Sequence, residues 1–129
     1  MSHSELQRIA CVEDDADIRS IVELSLANLG GFQITLYESG AQALEHIEKF
    51  QPQLIILDMM MPGMDGLETL QRIRALPALA AVPAVFMTAK AQPNEIQRYE
   101  HSGAIGVIVK PFDPVSLASE VKNLWRAAA

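Results

Sequence analysis

The stretch Leu54-Ile55-Ile56-Leu57 is an unbroken apolar run, and Asp58 follows it directly. A strand with one face in water alternates apolar and polar residues, so a continuous run is typical of a strand covered on both faces. Both faces are covered when helices pack on either side of a parallel sheet. This run therefore predicts a doubly wound α/β fold.

Four further apolar runs, separated by amphipathic stretches, repeat this pattern at residues 9–12, 32–37, 82–87 and 105–109. Together the runs predict five parallel strands that alternate with five helices. The second run differs, because Phe32, Ile34 and Leu36 alternate with less apolar residues. Such alternation indicates a strand that is only half covered, so we expect this strand at an edge of the sheet.

Short motifs mark the predicted helix ends. Ser39 and Gln42 have the spacing of a capping box, Gly30 is placed to end the first helix, and Asp113-Pro114 to begin the last. The fourth helix, near residues 93–102, has only Ile96 and Tyr99 as an apolar stripe. We therefore expect its packing to be marginal and its position comparatively easy to shift.

Length and composition exclude several classes of protein. A chain of 129 residues that is 50% apolar fits one domain over residues 1–129, and we expect no output domain. The net charge of −6, without a basic stripe, argues against direct nucleic-acid binding. No apolar run approaches the length of a membrane span, and residues 1–10 lack a signal sequence, so we expect a cytoplasmic protein. Cys11 is the single cysteine and is expected to be an inert core residue.

Polar side chains follow four of the five apolar runs. Glu13 and Asp14 follow the first, Asp58 the third, Thr88 the fourth and Lys110 the fifth. Ligands bind at the carboxyl ends of the strands in open parallel sheets, so we expect these residues at one edge. Three carboxylates repel one another unless a cation lies among them, and oxygen ligands suit Mg²⁺. The sequence thus predicts a metal site.

Other candidate ligands favour structural interpretations. Asp15 and Asp17 suit the first turn of a helix, where carboxylates cap free N–H groups. The methionines at residues 59–61 are more typical of flexible core filler than of a copper site. The histidines share no ligand spacing and are expected at the surface: His3, His46 and His101.

Four fragments resemble the signature of response-regulator receiver domains, and they occur in that family's order. They are Val12-Glu13-Asp14, Leu57-Asp58 with Met61-Pro62-Gly63-Met64-Asp65-Gly66, Met87-Thr88-Ala89, and Lys110-Pro111-Phe112. Each lies at the end of its own apolar run, and the resemblance covers about the whole chain. It implies the flavodoxin-like strand order 2-1-3-4-5. It also implies a signalling phosphoacceptor rather than an enzyme in the ordinary sense.

The resemblance implies a metal-assisted phosphoacceptor site. Asp58 corresponds to the residue that becomes an acyl phosphate. Asp14, Asp58 and the backbone carbonyl of Met60 would bind Mg²⁺ directly, and Glu13 would act through metal-bound water. The ion would neutralise charge on the transferring group.

Two further residues resemble the family's electrostatic stabilisers of the phosphoryl group. Lys110 would pair first with the carboxylate and then with a phosphoryl oxygen, and Thr88 would donate a hydrogen bond to another oxygen. The resemblance also implies a cis bond between Lys110 and Pro111. The motif residues Gly63 and Gly66 are interpreted as glycines that permit positive φ in the loop.

The implied partners are proteins. The phosphoryl donor would be a phosphohistidine of a sensor kinase or phosphotransfer protein, and a downstream target would bind the surface of the fourth helix, fifth strand and fifth helix. One position departs from the family, since Val107 stands where an aromatic residue is usual. Either the fifth strand and fourth helix still shift through other contacts, which we favour, or the surface changes little.

Two alternatives remain open. The chain could be a phosphorylation-independent interaction module, although clustered carboxylates have little folding value in such a protein. A phosphatase of the haloacid-dehalogenase-like class would also form a phosphoaspartate. Those enzymes carry a second acid two residues after the nucleophile, where this chain has Met60, which cannot transfer a proton.

Overall fold

The computed structural model describes residues 5–89 and 92–128, and a five-stranded parallel sheet lies at its centre. The strands are β1 (Arg8–Val12), β2 (Gln33–Tyr37), β3 (Leu54–Asp58), β4 (Ala84–Thr88) and β5 (Gly106–Val109). Their order across the sheet is β2-β1-β3-β4-β5, and every neighbouring pair is parallel. Both the predicted strand order and the edge position of the second strand are confirmed.

Five helices cover the two faces of this sheet. They are α1 (Ala16–Val22), α2 (Gly40–Phe50), α3 (Gly66–Arg74), α4 (Pro93–His101) and α5 (Leu117–Ala127). A π-helical segment (Glu23–Leu29) continues α1, and a short 3₁₀ turn (Pro77–Leu79) precedes β4. None of the helices in the described ranges has both the length and the apolar character needed to cross a membrane.

The sheet separates two hydrophobic cores. One core packs the strands against α2, α3 and α4, and the other packs them against α1 and α5. Successive residues of β3 alternate between these cores, with Ile55 and Leu57 in the first and Leu54 and Ile56 in the second. All four are buried, which confirms that the continuous run is covered on both faces.

Helix ends show where sequence patterns succeed. The Ser39 side chain accepts a hydrogen bond from the Gln42 N–H at 3.1 Å, and the Gln42 side chain accepts one from the Glu38 N–H at 2.7 Å. The π-helical segment ends at Gly30, as predicted. Gly30 nevertheless has a right-handed φ of −89°, and a Cβ there would lie 2.7 Å from the Leu26 carbonyl oxygen. Close packing therefore requires this glycine.

The start of the last helix was predicted wrongly. α5 begins at Leu117 rather than at Asp113-Pro114. Asp113 instead organises a turn, because its side chain accepts from the Val115 N–H at 2.9 Å and its carbonyl from the Ser116 N–H at 3.1 Å. Aspartate stabilises such turns as readily as helix starts, so the motif alone did not distinguish the two.

Cys11 is expected to resist alkylation by iodoacetamide in the folded protein. Its side chain is fully buried in the core beside α1 and α5. Burial raises the pKa of the Cys11 thiol, so the reactive thiolate is scarce at neutral pH. Intact mass after exposure to the reagent, in buffer and in urea, measures the labelling. Rapid labelling in buffer alone would contradict an enclosed thiol.

Candidate functional site

The site lies at the carboxyl edge of the sheet, where backbone hydrogen bonds continue beyond the strands. The Lys110 N–H donates to the Thr88 carbonyl, the Met59 N–H to the Met87 carbonyl and the Glu13 N–H to the Tyr37 carbonyl, each at 2.9 Å. These bonds keep the first residues after the strands in register. The side chains at the strand ends are therefore held by the sheet rather than by mobile loops.

The central feature is an ammonium group between two buried carboxylates. Lys110 Nζ lies 2.7 Å from Glu13 Oε1 and 2.9 Å from Asp58 Oδ1. Glu13 is 0% exposed and Asp58 3% exposed. Burying two carboxylates side by side is costly without a compensating cation. Lys110, directly after the fifth strand, supplies that cation, as the pairing implied by the resemblance requires.

A third carboxylate completes an acidic cluster. Oxygen atoms of Glu13, Asp14 and Asp58 all lie within 4.8 Å of one another, and Asp14 is exposed to solvent. This all-oxygen set, open on one side, fits the preference of Mg²⁺ for carboxylates and retained water. The structure thus brings together the three acids predicted from the strand ends. A role for the Met60 carbonyl stays a prediction.

Thr88 also lies where the sequence predicted it. It is the last residue of β4 and is fully buried. Asp58, in the neighbouring strand β3, pairs with Met87, the residue directly before Thr88. The Lys110-Pro111 bond is cis, as the resemblance implied. Thr88, Asp58 and Lys110 therefore end or follow three consecutive strands of the sheet.

Burial and neighbouring charges shift the pKa values of Glu13 and Lys110. Burial raises the pKa of Glu13 above its usual range and the nearby Asp58 adds to the rise, although the Lys110 hydrogen bond and the Asp15 N–H oppose it. Burial favours a lower pKa for Lys110, but its hydrogen bonds to Glu13 and Asp58 outweigh that effect and raise the pKa. Lys110 is therefore firmly cationic. Keeping Glu13 ionised costs more free energy than keeping Lys110 ionised.

The loop after β3 fits closely around Asp58. The Gly66 N–H donates to the Met59 carbonyl at 3.1 Å, and a Cβ on Gly66 would lie 2.6 Å from the Asp58 carbonyl oxygen. Gly63 has a φ of +76° and needs glycine's conformational freedom. Gly66 does not adopt positive φ. The prediction of positive φ was therefore wrong for Gly66. Its lack of a side chain instead allows the loop to approach the Asp58 carbonyl closely.

Arg19 also contacts the site, although the sequence did not predict it. Its Nη1 donates to the Glu13 carbonyl oxygen at 2.8 Å. An arginine one turn into the helix after an acidic loop is a weak signal, because such residues usually point into solvent. Asp15 caps α1 as predicted, accepting from the Asp17 and Ile18 N–H groups at 2.8 and 3.1 Å.

The remaining candidate ligands are the methionines at residues 59–61 and the histidines. Met59 and Met61 are buried, which agrees with core filler, whereas the Met60 side chain is exposed. His46 and His101 are both exposed, as expected. His3 lies outside the described residues.

Comparisons with known proteins agree with this geometry. A family model described as the response regulator receiver domain matches residues 9–122. The DNA-binding response regulator MtrA of Mycolicibacterium paratuberculosis is 36% identical over 120 residues, which cover 93% of this chain and 52% of MtrA. The phosphate regulon transcriptional regulatory protein PhoB of Klebsiella pneumoniae is 33% identical, with coverage of 93% and 52%. The chain thus spans about half the length of these curated relatives.

A solved structure gives the same result for the fold. The chemotaxis protein CheY4 of Vibrio cholerae superposes with a TM-score of 0.85 at 28% identity. The match covers 93% of this chain and 99% of that chain.

Replacing Lys110 by methionine should destabilise the protein, because two buried carboxylates would lose their shared cation. We expect a loss of about 3 kcal/mol in the free energy of unfolding, measured by urea denaturation in EDTA. Mg²⁺ bound at the acidic cluster would restore part of this loss, since it would place positive charge among the same carboxylates of the folded state. Lys49→Met removes an exposed lysine and serves as the control. Equal stability of Lys110→Met and wild type would contradict this account.

Proposed function

The chain belongs to the response regulator receiver domain family, and on that premise we propose that Asp58 accepts a phosphoryl group with the help of Mg²⁺. The observation that supports this most strongly is the Lys110 ammonium, which lies 2.9 Å from Asp58 Oδ1 within an acidic cluster. A fold has no need of three clustered acids, whereas phosphoryl transfer needs a nucleophile, a metal site and a cation together.

The proposed donor is a phosphohistidine of a sensor kinase or phosphotransfer protein. A carboxylate oxygen of Asp58 attacks phosphorus in line, the P–N bond to the imidazole breaks, and an acyl phosphate forms. Lys110 then pairs with a phosphoryl oxygen, and the Thr88 hydroxyl donates to another. The reaction transfers a group to the protein itself, so the domain acts as a signalling phosphoacceptor rather than a turnover enzyme.

The proposed metal ligands are Asp14, Asp58 and the backbone carbonyl of Met60. Glu13 already accepts hydrogen bonds on both carboxylate oxygens, from Lys110 at 2.7 Å and from the Asp15 N–H at 3.1 Å. These bonds favour contact with the ion through water rather than directly. When bound, Mg²⁺ would neutralise charge on the transferring phosphoryl group.

The phosphatase alternative has little support from the geometry. An enzyme of that class needs an acid two residues beyond the nucleophile, and the Met60 side chain is 60% exposed and cannot transfer a proton. The interaction-module alternative predicts that Asp58 never becomes phosphorylated. A measurement of phosphorylation therefore separates it from the proposal.

Incubation with acetyl phosphate and Mg²⁺ should add one phosphoryl group to wild type. Asp58→Asn should remain unmodified because its amide is not nucleophilic, and EDTA should prevent the addition to wild type. Intact mass spectrometry measures both. Asp17→Asn, which removes an exposed carboxylate from the first turn of α1, serves as the control and should behave as wild type. No adduct under any condition would support the interaction module.

We also propose a route from the site to the surface formed by α4, β5 and α5. Phe86 and Thr88 are two residues apart in β4 and so face the same side of the sheet. The Phe86 ring packs against Tyr99 of α4, with centroids 5.4 Å apart. Tyr99 is 2% exposed, and its hydroxyl donates to Glu95 at 3.2 Å.

The contact between Phe86 and Tyr99 matters because Val107 stands where the family usually has an aromatic residue. Val107 is only partly buried and packs against the core that contains Phe86 and Tyr99. An aromatic side chain thus links β4 to α4 although β5 lacks one. A movement of Thr88 towards the phosphoryl group would reach α4 through Phe86 and Tyr99.

Tyr99→Leu should uncouple α4 from the site. With beryllium fluoride as a phosphoryl mimic, wild type should show NMR amide shifts across residues 94–101, which follow Pro93 in α4. These shifts should shrink in Tyr99→Leu, which lacks the ring, and largely persist in Tyr99→Phe, which keeps it. Phosphorylation of Asp58 itself should be unchanged. Wild-type shifts throughout α4 in Tyr99→Leu would rule out this route.

A further inference from the structure

Arg19 contacts the backbone between two of the acidic residues. It lies in α1 with a side chain that is 21% exposed, and its Nη1 donates to the Glu13 carbonyl oxygen at 2.8 Å. Its Nη2 lies 4.0 Å from Glu38 Oε2, just beyond the end of β2. The guanidinium group therefore joins α1 to the loop after β1.

The carbonyl that Arg19 contacts determines how Asp14 is presented. Glu13 is fixed on its other sides, since its N–H donates to Tyr37 and its carboxylate accepts from Lys110 and the Asp15 N–H. The Glu13 carbonyl belongs to the planar peptide group that joins it to Asp14. Holding this oxygen fixes the plane, and with it the position of the Asp14 Cα.

Asp14 has the greatest need of such support. Its side chain is exposed, whereas Glu13 and Asp58 are buried and held by packing. An exposed carboxylate is restrained mainly through its backbone. Groups that orient metal ligands without touching the ion commonly contribute to metal affinity.

We propose that Arg19 is a positioning residue of the metal site, which holds the Glu13-Asp14 peptide so that Asp14 faces the ion. This inference rests on the proposed Mg²⁺ site. Two effects of Arg19 have opposite signs. As a nearby positive charge it repels Mg²⁺, so its removal would tighten binding. As a support for Asp14 it favours binding, so its removal would weaken binding.

The test is the Mg²⁺ dissociation constant, measured by NMR titration without a phosphodonor. Arg19→Met should raise this constant about tenfold. Arg72→Met removes an exposed arginine that pairs with Glu68 at 2.9 Å, and should bind Mg²⁺ as wild type does. Arg19→Lys keeps the charge but offers only a single ammonium, so its constant should lie between those of wild type and Arg19→Met.

A double-mutant cycle separates positioning from a general structural effect. In the Asp14→Asn background, Arg19→Met should cause no further loss, because the ligand that it supports is already removed. Thermal unfolding in EDTA checks that each variant folds. If Arg19→Met does not fold, Arg19→Lys decides the question.

The outcomes distinguish this inference from the function on which it rests. Unchanged or tighter Mg²⁺ binding in Arg19→Met, or wild-type affinity in Arg19→Lys where that variant decides, would overturn the positioning role and leave the proposed function intact. An additional loss from Arg19→Met in the Asp14→Asn background would also overturn it. Absence of Mg²⁺ binding in wild type would overturn both.

Discussion

The lysine ammonium shared by two buried carboxylates is the interaction on which the rest of the site depends. Glu13 and Asp58 end up side by side because β1 and β3 are neighbours at the centre of the sheet. Lys110 follows β5 at the edge, and its long side chain crosses the end of β4 to reach both acids. A strand order that moved β1 or β5 away from β3 would separate these charges, and burial would then cost more than it returns. The strand order is therefore what brings the charged residues of the site together.

Most of the fold could be predicted because its signals are local. The apolar run at residues 54–57 required a strand covered on both faces, and alternation placed the second strand at an edge. Errors arose where one residue type serves several purposes. Asp113 stabilises a turn rather than starting a helix, and Gly66 allows close approach to the Asp58 carbonyl rather than adopting positive φ. A pattern identifies a conformational preference, but the contacts that decide which role a residue takes form only in the folded chain.

The same distinction applies to the site. The positions of Asp58 and Lys110 followed from the geometry of parallel strands, and the resemblance supplied their implied roles. Arg19 could not be predicted, because its contact depends on how α1 leaves the sheet and on which way a long side chain turns. The contact between Phe86 and Tyr99 depends likewise on how α4 lies on β4. Contacts of this kind arise from packing and have no short motif.

The separation of the central residues along the chain has a consequence for folding during synthesis. Lys110 lies 97 positions after Glu13 and 52 after Asp58. A chain emerging from the ribosome therefore exposes both acids long before Lys110 is synthesised. The contacts of Lys110 with Glu13 and Asp58 form only when the last strand joins the sheet. A fragment or an incompletely folded chain carries the acidic residues without the assembled charge arrangement. Competence for the proposed chemistry is thus tied to completion of the fold.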